Sequence, residues 1–332
     1  MARTTDPIES ISPHAPARVD GARAYLAFMG FVRVLAVTFA ATVCASAGPG
    51  NPLVQTDDVA LFYKLYDSAD GHPTAEQLQH DYLDKGSKGL HVLAEVRNVT
   101  GERIADTLAK RPEIYADARR CASALPGVRA RLSTSMHKLA EVYPEARFPP
   151  VTIAVGRGKP VGVGSPATGV QIGLEALCAT DFMNPNIEDR FVYAIAHEYV
   201  HVQQVQALVD ADQPTVLEGS LMEGAADFIG ELTSGGLSYA YLNGLTRGRE
   251  KAIETKFVPD MDKTDLSSWL YNSTPDKPAD LGYWVGYRIV RSFYQHAAHK
   301  RQAIHDIIEM RDPRAFLAKS GWYPGIVLER AP

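Results

Sequence analysis

The segment His197-Glu198-Tyr199-Val200-His201 constrains this chain of 332 residues more than any other feature of its sequence. An α-helix turns by about 100° per residue, so His197 and His201 would project from one face, one turn apart. Two imidazoles at that spacing can bind one metal ion, and Glu198 can reach a water molecule beside them without being a ligand. The pattern H-E-x-x-H therefore predicts a helix that carries a metal site.

The residues around this pair are typical of a buried helix; the alternative is a surface helix with two solvated histidines. Asn186 is a candidate N-cap, and Glu188 and Asp189 would lie in the first turn, where the helix dipole favours acidic groups. Histidines on a buried helix need partners, and a metal ion is one of them. Apolar side chains would cover much of this helix: Phe191, Val192, Ala194, Ile195, Val202, Val205 and Leu208.

A second helix is predicted over residues 216–232. Thr215 and Glu218 form a T-x-x-E capping box at its start, and the pair Gly235-Gly236 would end it. Residues 210–214 indicate a short turn between the two helices. The two helices would then run antiparallel and lie side by side.

Two carboxylates of the second helix, Glu223 and Asp227, lie four positions apart on one face. Like charges at that spacing favour a cation or a histidine as neighbour, although a solvated acidic edge is the alternative. Catalytic zinc usually has three protein ligands, so Glu223 is the candidate third ligand beside His197 and His201. Asp227 is then the candidate acceptor for the free N–H of one ligand histidine.

The chain resembles the gluzincin metallopeptidases, whose pattern is H-E-x-x-H followed by E-x-x-x-D on the next helix. More closely, it resembles a bacterial family of predicted zinc-dependent proteases that includes the gliding-motility lipoprotein B-like proteins. The resemblance rests on AHEYVHVQQ (196–204), LMEGAADFI (221–229) and LGYWVGY (281–287), with weaker support from GVQIGLE (169–175) and YLDKGSKGL (82–90). It implies one Zn²⁺ ion bound by His197, His201 and Glu223, with Glu198 as the general base and Asp227 as the partner of a ligand histidine.

The predicted fold class is α+β and predominantly helical. The resemblance implies a zincin-like metallopeptidase fold, with a small sheet packed by the H-E-x-x-H helix. Strands are predicted at 151–155 and 170–174, separated by a Gly- and Pro-rich stretch, and 170–174 is either an exposed edge that binds an extended peptide or a purely structural strand. Helices are predicted at 57–66, 74–83, 90–96, 104–109, 114–124, 128–142, 280–299 and 303–310, with looser segments before the last two.

The helix predicted over 280–299 offers candidates for stabilising a developing oxyanion. Tyr283 and Tyr287 are one turn apart, and a hydroxyl from either could point at the site. The glycines at 282 and 286 have the same spacing and provide the alternative, in which this face serves close helix packing. His296 and His299 are further candidates on the same helix.

The N-terminal region predicts export. Residues 1–47 contain a positive flank, an uncharged apolar stretch and an A-x-A cleavage signal, which are typical of a signal peptide, with a true start at Met29. An uncleaved membrane anchor and lipoprotein processing at Cys44 are the alternatives. Cys121 and Cys178 would remain in the mature chain, either as a disulfide, as an oxidising compartment allows, or as two buried thiols.

Composition limits the classes of function. With 45% hydrophobic residues, residues 48–332 can form a single domain with a sizeable core, of which about 52–145 is a helical N-terminal part. A net charge of −5 without a basic block argues against nucleic acid as a partner. We expect an exported zinc-dependent hydrolase that acts on a peptide or protein, with membrane association only through the N-terminal segment. The alternatives are an exported zinc-binding or assembly protein without turnover, and a hydrolase of non-peptide amides or esters.

Overall fold

The computed structural model describes residues 52–159, 161–273 and 279–329. The predicted signal segment 1–47, the start at Met29 and the lipoprotein site at Cys44 lie outside the described residues. Within the described part of the chain, no helix is long and apolar enough to cross a membrane.

The described residues are mostly helical and carry a small mixed sheet, which confirms the predicted α+β class. The N-terminal helices are α1 (Asp57–Ser68), α2 (Ala75–Gln77, continued by a π-helical turn Leu78–Leu83), α3 (Lys88–Arg97), α4 (Gly101–Lys110), α5 (Pro112–Ala122) and α6 (Leu125–Val142). Each helix predicted between 57 and 142 is present, with ends displaced by a few residues. The π-helical turn was not predicted.

The remaining helices lie after the first strands of the sheet. They are α7 (Leu174–Cys178), α8 (Ile187–Gln203), α9 (Gln206–Val209), α10 (Val216–Ser234), α11 (Leu242–Thr246), α12 (Glu250–Phe257, followed by a 3₁₀ turn Val258–Asp260), α13 (Leu281–His296), α14 (Lys300–Ile308) and α15 (Pro313–Lys319). Helices α11 and α12 lie where the sequence indicated looser segments. The helices predicted at 280–299 and 303–310 correspond to α13 and α14.

The sheet has four strands in the order β1-β2-β4-β3: β1 (Val54–Gln55), β2 (Val151–Ala154), β3 (Gly162–Ser165) and β4 (Gly169–Gly173). Strand β2 pairs in parallel with β1 and β4, and β3 pairs with β4 in the antiparallel direction. Of the two alternatives for 170–174, the exposed edge is therefore wrong, and the structural strand agrees with the sheet order. Strand β4 is an inner strand, and β3 is the edge on that side of the sheet.

Strand β3 was missed because its sequence, Gly-Val-Gly-Ser, is typical of a loop. Its glycines allow α8 to pack directly on the strand. A Cβ atom on Gly164 would lie 2.1 Å from the backbone oxygen of Glu198, and one on Gly162 would lie 2.5 Å from the Oε1 atom of Glu198. The glycines thus bring the edge of the sheet against the helix that carries both histidines.

Helix α10 packs against both α8 and α13 in the apolar core. Helices α10 and α13 approach so closely that a Cβ atom on Gly286 would lie 1.7 Å from the backbone oxygen of Ser220. A Cβ atom on Gly224 would lie 2.1 Å from the carbonyl carbon of Gly286. Close packing, the alternative for the glycine pattern of α13, is therefore present at this crossing.

Cys121 and Cys178 form a disulfide bond between α5 and α7. Both residues are buried, with Cys121 fully inaccessible. The structure therefore decides between the two states that the sequence allowed for this pair. The bond ties the helical N-terminal part to the segment that leads into α8.

Candidate metal centre

Helix α8 positions His197 and His201 on its buried side. The helix begins at the predicted cap, where the Asn186 side chain accepts a hydrogen bond from the backbone N–H of Asp189 at 3.0 Å. His197 and His201 are only 4% and 5% exposed. The alternative of two solvated surface histidines is thereby excluded.

Helix α10 lies beside α8 and supplies two buried carboxylates. Its capping box is formed as predicted: the Thr215 hydroxyl accepts from the Glu218 backbone N–H, and the Glu218 carboxylate accepts from the Thr215 N–H. Gly235 ends the helix in the left-handed conformation that favours glycine. Glu223 and Asp227 are 5% and 4% exposed, so neither belongs to a solvated acidic edge.

One nitrogen atom of each histidine and one oxygen atom of Glu223 lie close together between these helices. The Nε2 atom of His197 lies 3.1 Å from Oε2 of Glu223, and Nε2 of His201 lies 3.2 Å from the same oxygen. The two Nε2 atoms are 3.1 Å apart. His197, His201 and Glu223 thus present one donor atom each at the corners of a nearly equilateral triangle.

The other ring nitrogen of each histidine has an acceptor. Nδ1 of His197 lies 2.9 Å from Oδ1 of Asp227, and Nδ1 of His201 lies 2.7 Å from Oε1 of Gln204. The Gln204 amide is itself oriented, because its Nε2 donates to the carbonyl of Met222 at 2.8 Å. Each Nδ1 therefore carries the ring hydrogen. In the neutral imidazole, the lone pair of Nε2 then points toward the centre of the triangle.

Three lone pairs at this separation repel one another unless a cation lies between them. Ligands about 2.0–2.1 Å from a tetrahedral zinc ion are about 3.3–3.4 Å apart, close to the separations in this cluster. Without a metal, bound protons reduce this repulsion. Burial lowers the pKa of His197, but its hydrogen bonds to Asp227 and Glu223 outweigh the effect of burial and raise this pKa well above its usual value. The donor set of two imidazoles and one carboxylate fits zinc.

Glu198 lies next to the cluster without joining it. Burial raises the pKa of its carboxyl group, and the nearby His201 and His197 oppose that rise. Glu223 behaves differently: its burial is outweighed by the two histidines, which hold its pKa far below the usual range. The two glutamates thus differ in basicity, and the Glu198 carboxylate is the better proton acceptor of the two.

Tyrosines line the cluster. The ring of Tyr283 stacks on that of Tyr239, with centroids 4.2 Å apart, and its centroid lies 6.2 Å from that of His197. The Tyr271 hydroxyl donates to Oε1 of Glu223 at 2.7 Å, which leaves Oε2 directed at the histidines. The structure does not bring Tyr287 to this group, because its hydroxyl donates to Glu231 at 2.5 Å.

The two remaining histidine candidates lie apart from the cluster. His296 and His299 are exposed near the end of α13. Nδ1 of His296 is 2.8 Å from the Ser292 carbonyl, one turn earlier in the same helix. His296 therefore interacts within its own helix, and His299 is the N-cap residue of α14.

Sequence reasoning missed several residues of the site. Gln204 is the last residue of the stretch AHEYVHVQQ (196–204). Its amide side chain, three positions after His201 at the end of the helix, is the only sequence signal for a partner of that histidine. Tyr239 and Tyr271 lie in connecting segments without a recognisable pattern.

A buried His-His-Glu cluster with an adjacent glutamate has the residues of a zinc hydrolase site. Residues 178–311 match the model of a family described as Predicted Zn-dependent protease (DUF2268). The match covers less than half of the chain but includes α8, α10 and the whole cluster. The match supports a family of zinc proteases. No curated protein and no solved structure matches the chain.

Proposed function

We propose that the protein is a zinc-dependent peptidase in which His197, His201 and Glu223 hold one zinc ion and Glu198 is the general base. The observation that carries this proposal is the triangle of donor atoms at 3.1–3.2 Å, with Glu198 placed beside it and not in it. A structural zinc site has no use for that additional carboxylate. The family match over 178–311 supports the same conclusion.

In this proposal, the zinc site, Glu198 and Tyr283 have different roles in hydrolysis. A bound zinc ion would lower the pKa of a water molecule to about 7 and polarise the substrate carbonyl. Glu198 accepts the proton of the attacking water, since burial makes its carboxylate more basic than usual. The protonated Glu198 then donates to the leaving amine. Tyr283, stacked near His197, is the candidate hydroxyl for the oxyanion.

An extended peptide has a place beside Glu198 at the edge of the sheet. The Val161 carbonyl accepts from the Gly173 N–H, so alternate residues of β3 bond to β4. Gly162 and Gly164 therefore direct their backbone N–H and C=O groups away from β4. A substrate strand can pair with these groups, and because Gly162 has no side chain, the Glu198 carboxylate can lie directly against this strand.

The proposal extends to the fold family and to the location of the protein. A zincin-like fold is supported by the packing of α8 on edge strand β3 on one side and on α10 on the other. The relation to gliding-motility lipoprotein B-like proteins rests on the sequence stretches alone. We propose that the protein is exported, and the Cys121–Cys178 disulfide supports an oxidising compartment.

The central test is Glu198→Gln, assayed with a peptide library and by metal analysis of the same protein. The variant removes the base but none of the three ligands, so it should retain one zinc ion and lose turnover by about 10²–10⁴-fold. His201→Ala is the matched comparison, because it removes a ligand and should lose the metal. Full peptidase activity in Glu198→Gln would contradict the assignment of the base.

Two other outcomes separate the alternatives. Wild-type protein that binds zinc and cleaves no peptide, amide or ester would favour a zinc-binding or assembly protein. Cleavage of simple esters or non-peptide amides, with peptides untouched, would retain the role of Glu198 and change the substrate class. Purified protein without any affinity for zinc would overturn the metal site itself.

A further inference from the structure

Tyr271 is tied to the candidate metal centre by a direct contact. Its hydroxyl donates to Oε1 of Glu223 at 2.7 Å, although the two residues are 48 positions apart in the chain. Oε2, the other oxygen of this carboxylate, lies 3.1 Å from Nε2 of His197 and 3.2 Å from Nε2 of His201. The two oxygens of Glu223 therefore have separate partners, the tyrosine on one side and the histidines on the other.

The backbone of Tyr271 has an unfavourable conformation. Its φ angle is +56°, in the left-handed region where the Cβ atom of any residue except glycine crowds the backbone. An aromatic residue stays in this region only where the surrounding structure fixes it there. Backbone conformations of this kind are concentrated at functional sites, so the contacts that hold Tyr271 are informative.

Both the backbone and the ring of Tyr271 are held from the start of α13. The backbone N–H of Asn272 donates to Oδ1 of Asp280 at 2.8 Å, and the backbone N–H of Asp280 donates to Oδ1 of Asn272 at 2.7 Å. Asp280 is buried and is the N-cap residue of α13. The ring of Tyr271 meets that of Tyr283 edge-on, with centroids 6.0 Å apart and an angle of 90° between the planes. Since α13 packs on α10, these contacts hold the hydroxyl beside Glu223.

The bond to Oε1 limits how Glu223 can act as a ligand. A carboxylate can bind a metal ion through one oxygen or through both. A catalytic zinc site has three protein ligands and keeps a further position open, and a second carboxylate oxygen would compete for that position. For Oε1 to turn to a metal ion, the Tyr271 hydroxyl would have to lose its acceptor at a buried site, which is unfavourable.

We propose that Tyr271 is a positioning residue that keeps Oε1 of Glu223 occupied, so that Glu223 binds zinc through Oε2 alone and one coordination position stays free for water or substrate. This inference rests on the proposed zinc site. Tyr271 acts through Glu223 and touches neither the metal nor the substrate. Its hydroxyl thus decides between an open site, which hydrolysis needs, and a more closed one.

The test is Tyr271→Phe, which removes the hydroxyl and retains the ring. The protein is loaded with Co²⁺ in place of zinc, because the visible absorption of Co²⁺ is stronger with four ligands than with five. The variant should absorb more weakly than wild type, since both oxygens of Glu223 can then bind. Its affinity for zinc should fall by about 10–100-fold, because the carboxylate is no longer oriented before the metal binds.

Tyr241→Phe is the matched control. Tyr241 is also half-buried, and its hydroxyl lies 2.9 Å from Oγ of Ser273, in the same segment as Tyr271. The change therefore removes a comparable hydrogen bond to this segment without removing the donor to Glu223. The cobalt spectrum and the zinc affinity of Tyr241→Phe should equal those of wild type.

A second arm asks whether Tyr271 acts through Glu223. In a Glu223→Ala background, the two histidines remain as ligands but the tyrosine has lost its acceptor. Adding Tyr271→Phe should then change the metal affinity by less than about 2-fold, whereas the same change lowers the affinity of the parent protein. Neither arm needs a peptide substrate.

Three results would overturn the proposal and leave the zinc site intact. They are an unchanged cobalt spectrum in Tyr271→Phe, an equal change in Tyr241→Phe, and an equal effect of Tyr271→Phe with and without the Glu223 carboxylate. Wild-type protein that binds neither zinc nor cobalt would overturn both this inference and the proposed function. Metal binding without cleavage of any peptide would count against the peptidase function alone, because the cobalt spectra still decide the role of Tyr271.

Discussion

Each histidine of the cluster is fixed at both ring nitrogens. Nε2 faces the shared centre, and Nδ1 donates to a side chain behind it, Asp227 for His197 and Gln204 for His201. Such partners set the tautomer and raise the basicity of the ligand nitrogen. The affinity for a metal ion therefore depends on residues that never touch it.

Asp227→Ala should weaken zinc binding by about 10–100-fold without removing a ligand. The His197 Nδ1 would lose its acceptor in a buried site, and the ring would be free to rotate. The dissociation constant can be measured by competition with a chromogenic chelator.

Glu231→Gln provides the control for this change. Glu231 lies one turn beyond Asp227 on the same helix, is also partly buried, and accepts from the Tyr287 hydroxyl instead of a histidine. Its replacement should leave the zinc affinity unchanged. A loss of similar size in both variants would show that α10 is disturbed in general and that the bond to His197 has no specific role.

At the scale of elements, the two helices of the site could be predicted from the sequence because their signals are local. The cap at Asn186 and the capping box of Thr215 and Glu218 involve residues three positions apart. The spacing of His197 and His201, and that of Glu223 and Asp227, is one helical turn. Nothing beyond helical geometry was needed to place these side chains on facing surfaces.

The rest of the site depends on contacts between distant parts of the chain. Strand β3 has a loop-like sequence. Its glycines are required because α8 packs directly on them, a contact that the sequence does not reveal. Tyr271 reaches Glu223 from 48 positions away, with a left-handed backbone that no local pattern marks. Their roles follow from tertiary packing, which propensity and periodicity do not encode.

Gly286→Ala should destabilise the protein by about 3 kcal/mol or more, since the new methyl group would overlap the Ser220 carbonyl at the crossing of α10 and α13. Relief requires the helices to separate. Gly224 packs on Gly286 and directly follows the candidate ligand Glu223, so zinc affinity should fall as well. Denaturant unfolding of the metal-free protein measures the first effect.

Gly244→Ala is the matched control. Gly244 lies within α11, and a Cβ atom there would meet nothing within 4 Å. Alanine in an open helical position is neutral or stabilising by up to about 1 kcal/mol. Equal stability of Gly286→Ala and Gly244→Ala would mean that α10 and α13 lie farther apart than the structure indicates.

At the scale of the whole molecule, the site is assembled from two stretches of chain. The family match begins at Cys178 and contains the candidate ligands, whereas the four strands of the sheet, including β3 beside Glu198, precede it. The Cys121–Cys178 disulfide joins these stretches covalently at the point where they meet. We therefore expect the disulfide to stabilise the folded protein and to have no direct part in the chemistry of the cluster.

The double variant Cys121→Ser, Cys178→Ser should be less stable than the oxidised wild type by about 4 kcal/mol, the loop-closure contribution for a separation of 57 residues. Denaturant unfolding without reductant measures this difference. In the presence of a reductant that acts on the unfolded chain, wild type and variant should unfold at similar denaturant concentrations, because both then lack the bond. Thiol titration of the unfolded wild type should find neither Cys121 nor Cys178 free before reduction; two reactive thiols would show that the pair stays reduced and would remove this support for an oxidising compartment.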